Sequence, residues 1–408
     1  MRLLAISEHY FPRIGGTVNY VHETLCALSA KGVEVELWVP GPAPDCWLPD
    51  GMSKPPYRVR WIDAGYPAAG DPKREQRYDF CRQVDLLASE SLSTPERPDM
   101  LHVLFGLFLM EVLDTERFQA AGLPCVATVH NVPPMECRLV AHNAPLPARL
   151  KEFARLKAVK IKNKARLKRH GFAAYVVPSL QVQTALAPIV AQDRIEAIGH
   201  GMTADLQLLM SPPTDRRPSG PVRLLTAGGF APHKRQHILP ATVQALRDMG
   251  VDVVWDVVGP AGRVKGYFDD IQRDVTKRGL DCVLRLHKAV PFDDLARLYD
   301  AANIYVQPSL EEGFCITALD AAATGLPVIG SPAGALPAII EASGGILVAS
   351  EPHALAGVIA RFSRENLWQD PQVQSAHVRG LFSWSTAAQT LLDRYAILGV
   401  DEKRAAHV

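Results

Sequence analysis

The stretch "PSLEEGFCITALDAAATGLPVIGSP", residues 308–332, decides how this chain is read. It follows a short apolar run, "NIYVQ", and turns at Glu312-Gly313-Phe314 into an alanine-rich segment that closes at Gly325. A second apolar run, "LPVIGS", begins at once. Strand, turn, helix and strand in that order are the unit of a parallel α/β sheet. Two acids of the unit are candidates for contact with a ligand: Glu312 just ahead of the helix and Asp320 about two turns along it. The amides from Gly313 through Phe314, Cys315 and Ile316 open the helix, where free N–H groups and the helix dipole suit a diphosphate. Glu312 can accept hydrogen bonds from hydroxyls. The plainer alternative makes Glu312 a helix cap and Asp320 a solvated side chain.

The same alternation runs outward in both directions. "RLLAI", "VEVELWVP", "RVRWIDA", "MLHVLF", "PCVATVH", "AAYVVPS" and "IEAIGHG" read as strands in the first half, with a helix from Val18 through Val21, Leu25 and Leu28 to Gly32. "MSPPTDRRPSGP", residues 210–221, holds four prolines and breaks the pattern like a linker. Strands then resume with "VRLLTAGG", "VDVVWDVVG" and "CVLRLHKAV". The chain is predicted to be two Rossmann-like, doubly wound α/β domains facing a central cleft.

Composition sets bounds on function. The 408 residues suffice for two domains, 48% of them are apolar, and the net charge of +1 supplies no field that would recruit nucleic acid. Seven scattered cysteines form no Cys-x-x-Cys pair, which points away from a disulfide framework or zinc site and toward a cytoplasmic setting.

Three further loops are candidates for chemistry. Gly15 and Gly16 lie between the first strand and first helix, where backbone can approach an anion, although a ligand-free tight turn reads the same way. The dinucleotide fingerprint Gly-x-Gly-x-x-Gly is absent there. "GGFAPHKRQH" presents Lys234 with His233 and Arg235, and an ammonium at this point can neutralise phosphate. His130 ends the strand "PCVATVH"; it is either structural or a member of the site.

Together these pieces resemble the retaining glycosyltransferases of the GT-B fold, group 4, which include bacterial mannosyl- and N-acetylglucosaminyltransferases and sucrose synthase. The resemblance rests on the Gly15-Gly16 loop, "TVH" at His130, "AAYVVPS", "GGFAPHKRQ", the 308–332 stretch and "FSWSTAAQTLLDRY". It implies an acceptor-side domain over 1–210, a nucleotide-sugar domain over 211–385, and a final segment, 386–408, returning to the first domain. It implies transfer of a hexosyl unit from a nucleoside diphosphate sugar to a hydroxyl of a glycan, a lipid-linked molecule or a small molecule, with no metal and no cofactor beyond the co-substrate. The family's paired acids fall on Glu312, for a donor-sugar hydroxyl, and Asp320, for the ribose. Lys234, the Gly16 amide and the helix after Glu312 would hold the diphosphate, and His130 would line the sugar pocket. Two departures stand out. The arginine that the family places in the second-domain phosphate loop is replaced by Gly229, with Arg235 the nearest substitute. The second acid is a shorter Asp320, expected to reach ribose weakly or through water. A nucleotide-sugar epimerase of the same architecture and a catalytically silent nucleotide-binding relative are the competing expectations.

Residues 149–169 carry ten Lys or Arg against one Glu. Helical spacing places Leu150, Phe153, Ala154, Ala158, Ile161 and Ala165 on one face, with Lys157, Lys164 and Lys168 intruding. That stripe either packs against a sheet beneath a solvated surface or gives the helix peripheral contact with a membrane.

Overall fold

The computed structural model describes all residues except 14, 44–47, 49–53, 68–71, 133–143, 170, 205–209, 263, 289 and 400–408, and the side chains of 168 and 169 are also outside the description. Cys46, Cys137, the Lys168 side chain and the end of the expected 386–408 segment therefore lie outside the described residues. The chain forms two compact units, one of residues 1–132, 161–200 and 384–408, the other of residues 133–160 and 201–383.

The first unit is built on seven strands: β1 (Arg2–Ser7), β2 (Glu34–Pro40), β3 (Arg58–Ile62), β4 (Met100–Phe105), β5 (Cys125–Thr128), β6 (Ala174–Val177) and β7 (Ile195–Ala197). They lie in the order β3-β2-β1-β4-β5-β6-β7, and the described pairings are parallel. Central strands of such a sheet are covered on both faces, which is why β1 and β4 read as continuous apolar runs rather than alternating ones. The helix Gly16–Ala30 buries Val18, Val21, Leu25 and Leu28 in one core with Ala387, Ala388, Leu391 and Tyr395 of the helix Trp384–Ile397. The final helix thus belongs to the first unit. Its Tyr395 hydroxyl sits 2.5 Å from His102 Nδ1 of β4, an anchor deep in the sheet.

The second unit has six strands: β8 (Val222–Ala227), β9 (Val253–Val258), β10 (Leu284–His287), β11 (Ile304–Gln307), β12 (Val328–Gly330) and β13 (Ile346–Leu347). Their order is β10-β9-β8-β11-β12-β13, again parallel. The strand β13 escapes a sequence reading because two residues, neither fully buried, leave no period to detect. In this sheet the chain order reverses between β8 and β11, and the loops after those two strands carry Lys234 and Glu312. Such a reversal leaves a crevice at the carboxyl ends of the strands.

The proline-rich stretch does not behave as a free linker. Arg216 within it is 2% exposed and donates to the carbonyls of Tyr299, Asp300, Ala302 and Thr324, while its own carbonyl accepts from Asn303 Nδ2 at 2.7 Å. The stretch lies within the second unit, whose later segment runs over residues 201–383. Charge-assisted bonds to four carbonyls, three of them buried, leave their acceptors orphaned if the guanidinium is removed. Arg216→Met is expected to cost about 3–5 kcal/mol of stability, read as a lowered urea midpoint with an unchanged slope.

Candidate active site

The second unit assembles its site from the two loops at the β8/β11 reversal. After β8 the chain passes Gly228 and Gly229, then makes a short turn of 3-10 helix over Pro232–Lys234. Gly228 has φ 143°, and the Lys234 side chain crosses it so closely that a Cβ there would lie 3.6 Å from Cδ. Gly259 supports the loop from below: a Cβ at that residue would fall 2.2 Å from the Gly228 oxygen. Gln236, fully buried, clamps the loop by donating to the Gly229 carbonyl at 3.0 Å and accepting from Ala231 N at 3.3 Å.

After β11 the turn brings Glu312 back toward that lysine. Glu312 is 3% exposed. Its Oε1 accepts from Lys234 Nζ at 2.8 Å, Ser309 Oγ at 2.6 Å and Gln307 Nε2 at 3.3 Å. All three bonds go to Oε1, and Oε2 receives none of them. Burial opposes ionisation of this carboxyl, but the Lys234 ammonium and the Ser309 hydroxyl outweigh it and hold Glu312 below the usual carboxylate range. Glu312 is therefore an anion and a pure acceptor at neutral pH. It is not a helix cap: the helix begins at Ile316, and its N-cap is Cys315 at φ 84° with no side-chain cap bond. The Leu310 amide donates to the His233 carbonyl at 2.7 Å, which ties the two loops together. A Cβ at Gly334 would lie 2.5 Å from the Glu312 oxygen, so a third loop closes over the acid turn.

Two family models divide the chain between them, Glycosyltransferase Family 4 over residues 14–206 and Glycosyl transferases group 1 over residues 221–365. The chain belongs to these glycosyltransferases. A D-inositol 3-phosphate glycosyltransferase of Streptosporangium roseum is 26% identical over 97% of this chain and 93% of the relative. One of the same name from Streptomyces griseus is 34% identical over 45% of this chain and 40% of its own length. Among solved structures, sucrose-phosphate synthase from Thermosynechococcus elongatus shares the fold at a TM-score of 0.74 with 23% identity, over 97% of this chain and 98% of that one. Anabaena HepE, solved in complex with UDP and glucose, matches at a TM-score of 0.67 with 17% identity, over 97% and 99% of the two chains. The fold of this glycosyltransferase is GT-B, two parallel-sheet α/β domains.

The remaining residues singled out in the sequence lie in both units. Gly313, Phe314, Cys315 and Ile316 form the buried turn into the helix, next to Glu312. Burial pushes the Cys315 thiol up to about 12, which removes it as a nucleophile. Arg235 takes a left-handed backbone, φ 60°, and turns aside: its guanidinium donates to the Ser350 carbonyl at 2.5 Å and lies 3.4 Å from Glu351 Oε1. Asp320 is 3% exposed, not solvated, and both oxygens are held by Thr203, Oδ1 by the amide at 2.9 Å and Oδ2 by the hydroxyl at 3.0 Å. Among the described residues, no group of three His, Cys, Asp or Glu side chains stands close enough to hold a metal.

His130, Gly15 and Gly16 belong to the first unit. Gly15 is the N-cap of the helix Gly16–Ala30, and no protein atom comes within 4 Å of where its Cβ would stand. Tyr20 of that helix meets the His130 ring edge-on at 4.7 Å, so the glycine loop and the histidine share one neighbourhood. His130 Nε2 donates to the Leu104 carbonyl at 2.9 Å, and burial lowers the ring to about 4. The imidazole is thus neutral at pH 7, with its lone pair on Nδ1. Sequence reasoning missed Glu8, just past β1. It accepts from the amides of Phe108 and Leu109 at 3.2 and 3.4 Å and lies 3.6 Å from Arg77. Burial nevertheless pushes Glu8 up to about 7. A lone acid after a strand carries no spacing signal, which is why it was passed over.

The packing around Asp320 yields a direct test. A glutamate there adds a methylene between a helix of buried alanines and Thr203, so Asp320→Glu should lose about 1–3 kcal/mol of stability, whereas the isosteric Asp320→Asn should lose less. Urea unfolding of the two variants checks the order.

Proposed function

We propose that this glycosyltransferase moves a hexosyl unit from a nucleoside diphosphate sugar to an acceptor hydroxyl with retention of anomeric configuration. The observation that carries the reading is the Lys234–Glu312 pair, 2.8 Å apart, at the strand reversal of the second unit. Support also comes from HepE, whose structure holds UDP and glucose, and from the two inositol-phosphate glycosyltransferases.

The chemistry needs a place for negative charge that grows on the departing diphosphate. Lys234 meets it with a full positive charge, and the first-turn amides of the helix at Ile316 add the positive end of a dipole. Before the donor arrives, Glu312 neutralises that ammonium, so the site is not left with an uncompensated buried cation. With the donor bound, Oε2 of Glu312 accepts from a sugar hydroxyl, while Oε1 keeps its bonds and the carboxylate cannot rotate. The acceptor hydroxyl attacks the anomeric carbon on the face from which the phosphate leaves. Its proton passes to a phosphate oxygen, which makes a protein base unnecessary. Neutral His130 serves as a hydrogen-bonding wall for the sugar rather than as a cation. The first donors to try are UDP-sugars and the first acceptor D-inositol 3-phosphate, on the names of the relatives; the reaction is assigned to the cytoplasm and to a site that needs no metal.

Turnover of a nucleoside diphosphate sugar, followed with and without added acceptor, tests this. Lys234→Ala should slow the chemical step by a factor equivalent to about 2–4 kcal/mol. Glu312→Gln should lower kcat by orders of magnitude with nucleoside diphosphate binding retained, and EDTA should change nothing. Near-normal rates in either variant, or a rearranged nucleotide sugar formed without acceptor, would sink the proposal.

A further inference from the structure

The helix Leu146–Arg169 presents its apolar stripe outward. Leu146 is 65% exposed, Leu150 61%, Phe153 58% and Ile161 72%, and Ala154, Ala158 and Ala165 are exposed as well. The opposite face does the packing: Asn163 and Leu167 are buried, and Leu156 and Val159 are half-buried. Arg166 on that side bonds Glu111, and Arg155 pairs with Glu152 at 2.6 Å. The expectation that the stripe packs on a sheet is thereby corrected.

At about 100° per residue, Leu146, Leu150, Phe153 and Ile161 share one side of the helix with Lys157 and Lys164, and Arg149 and Lys160 run along one border. These four cationic residues are exposed, and Lys157 Nζ lies 4.5 Å over the Phe153 ring. A partner must satisfy the apolar side chains and the cations together. A folded protein with a matching apolar face would strip water from Lys157 and Lys164 at the centre of the contact. A nucleic acid would leave Leu150 and Ile161 in water. An anionic bilayer surface satisfies both, since the apolar groups enter the acyl boundary while lysine stems lie along them and their ammonium groups reach the lipid phosphates.

We propose that this helix docks the protein peripherally on a membrane surface rich in anionic lipid, with Leu146, Leu150, Phe153 and Ile161 inserted and Arg149, Lys157, Lys160 and Lys164 at the phosphate level. No helix among the described residues is long and apolar enough to cross a membrane, so the contact is in-plane. The inference is independent of the sugar-transfer reading and is tested by binding, not turnover.

The full chain should co-sediment with vesicles of mixed phosphatidylcholine and phosphatidylglycerol, far less with phosphatidylcholine alone, and added salt should weaken the binding. The variant Lys157→Gln/Lys160→Gln/Lys164→Gln should bind more weakly by about fivefold for each charge removed. Leu150→Ser/Phe153→Ser/Ile161→Ser should lose co-sedimentation, with the circular dichroism melt of both variants unchanged because all six side chains are exposed. Absence of binding to the anionic vesicles would overturn the proposal. So would both triple variants sedimenting like the parent, or a dimer that Ile161→Ser splits in a chain that ignores vesicles.

Discussion

Much of the second unit is organised around one ion pair between the half-buried Lys234 and the buried Glu312. Lys234 and Glu312 come from loops that follow different strands, and they meet only because β8 and β11 are neighbours in the sheet. An ammonium and a carboxylate removed from water are costly unless each is neutralised and the remaining lone pairs are bonded. The surroundings supply that. Ser309 and Gln307 bond Glu312 on the same oxygen that takes the lysine, and the Tyr305 hydroxyl, 2.9 Å from Gln307 Oε1, orients the amide so that its NH2 faces the acid. Gly259 and Gly334 are small because backbone occupies the space a side chain would need, and Gly228 because its φ of 143° favours glycine. The pair therefore accounts for residues that would otherwise look unrelated.

The first unit handles charge differently. Within and just past its central strands it holds groups whose charged forms are disfavoured. His102 and His130 are lowered by burial to about 3 and about 4, and Glu8 is raised to about 7. His102 is held inside the sheet by Tyr395 and Thr128, and Glu8 lies 3.6 Å from the Arg77 guanidinium. The second unit instead keeps a fixed pair of charges, the Lys234 ammonium and the Glu312 carboxylate.

The long basic helix shows a limit of periodicity as an argument. Spacing identifies which residues share a face, and it grouped Leu150, Phe153 and Ile161 correctly. It says nothing about which face meets the rest of the protein, because the opposite side, with Leu156, Val159 and Leu167, is also apolar enough to pack. Contacts of Arg166 with Glu111 and of Leu167 with the core decide the matter, and both partners are distant in sequence.

The α/β alternation, the strand runs and the turn at Glu312 were legible in the chain itself, since buried parallel strands and glycine-closed helices leave composition and spacing that survive without a fold. Lys234 and Glu312 could each be singled out there, but nothing in the sequence said that they touch. That depended on strand order, which local pattern does not encode. The same holds for Asp320, which the family resemblance offered as a ribose ligand and which in the fold holds Thr203, and for Arg216, which sits in a stretch with the composition of a linker and proves to be a buried clamp. Hydrogen-bond partners more than a hundred residues away, or on a neighbouring strand, carry no local signature; only the tertiary structure could assign them.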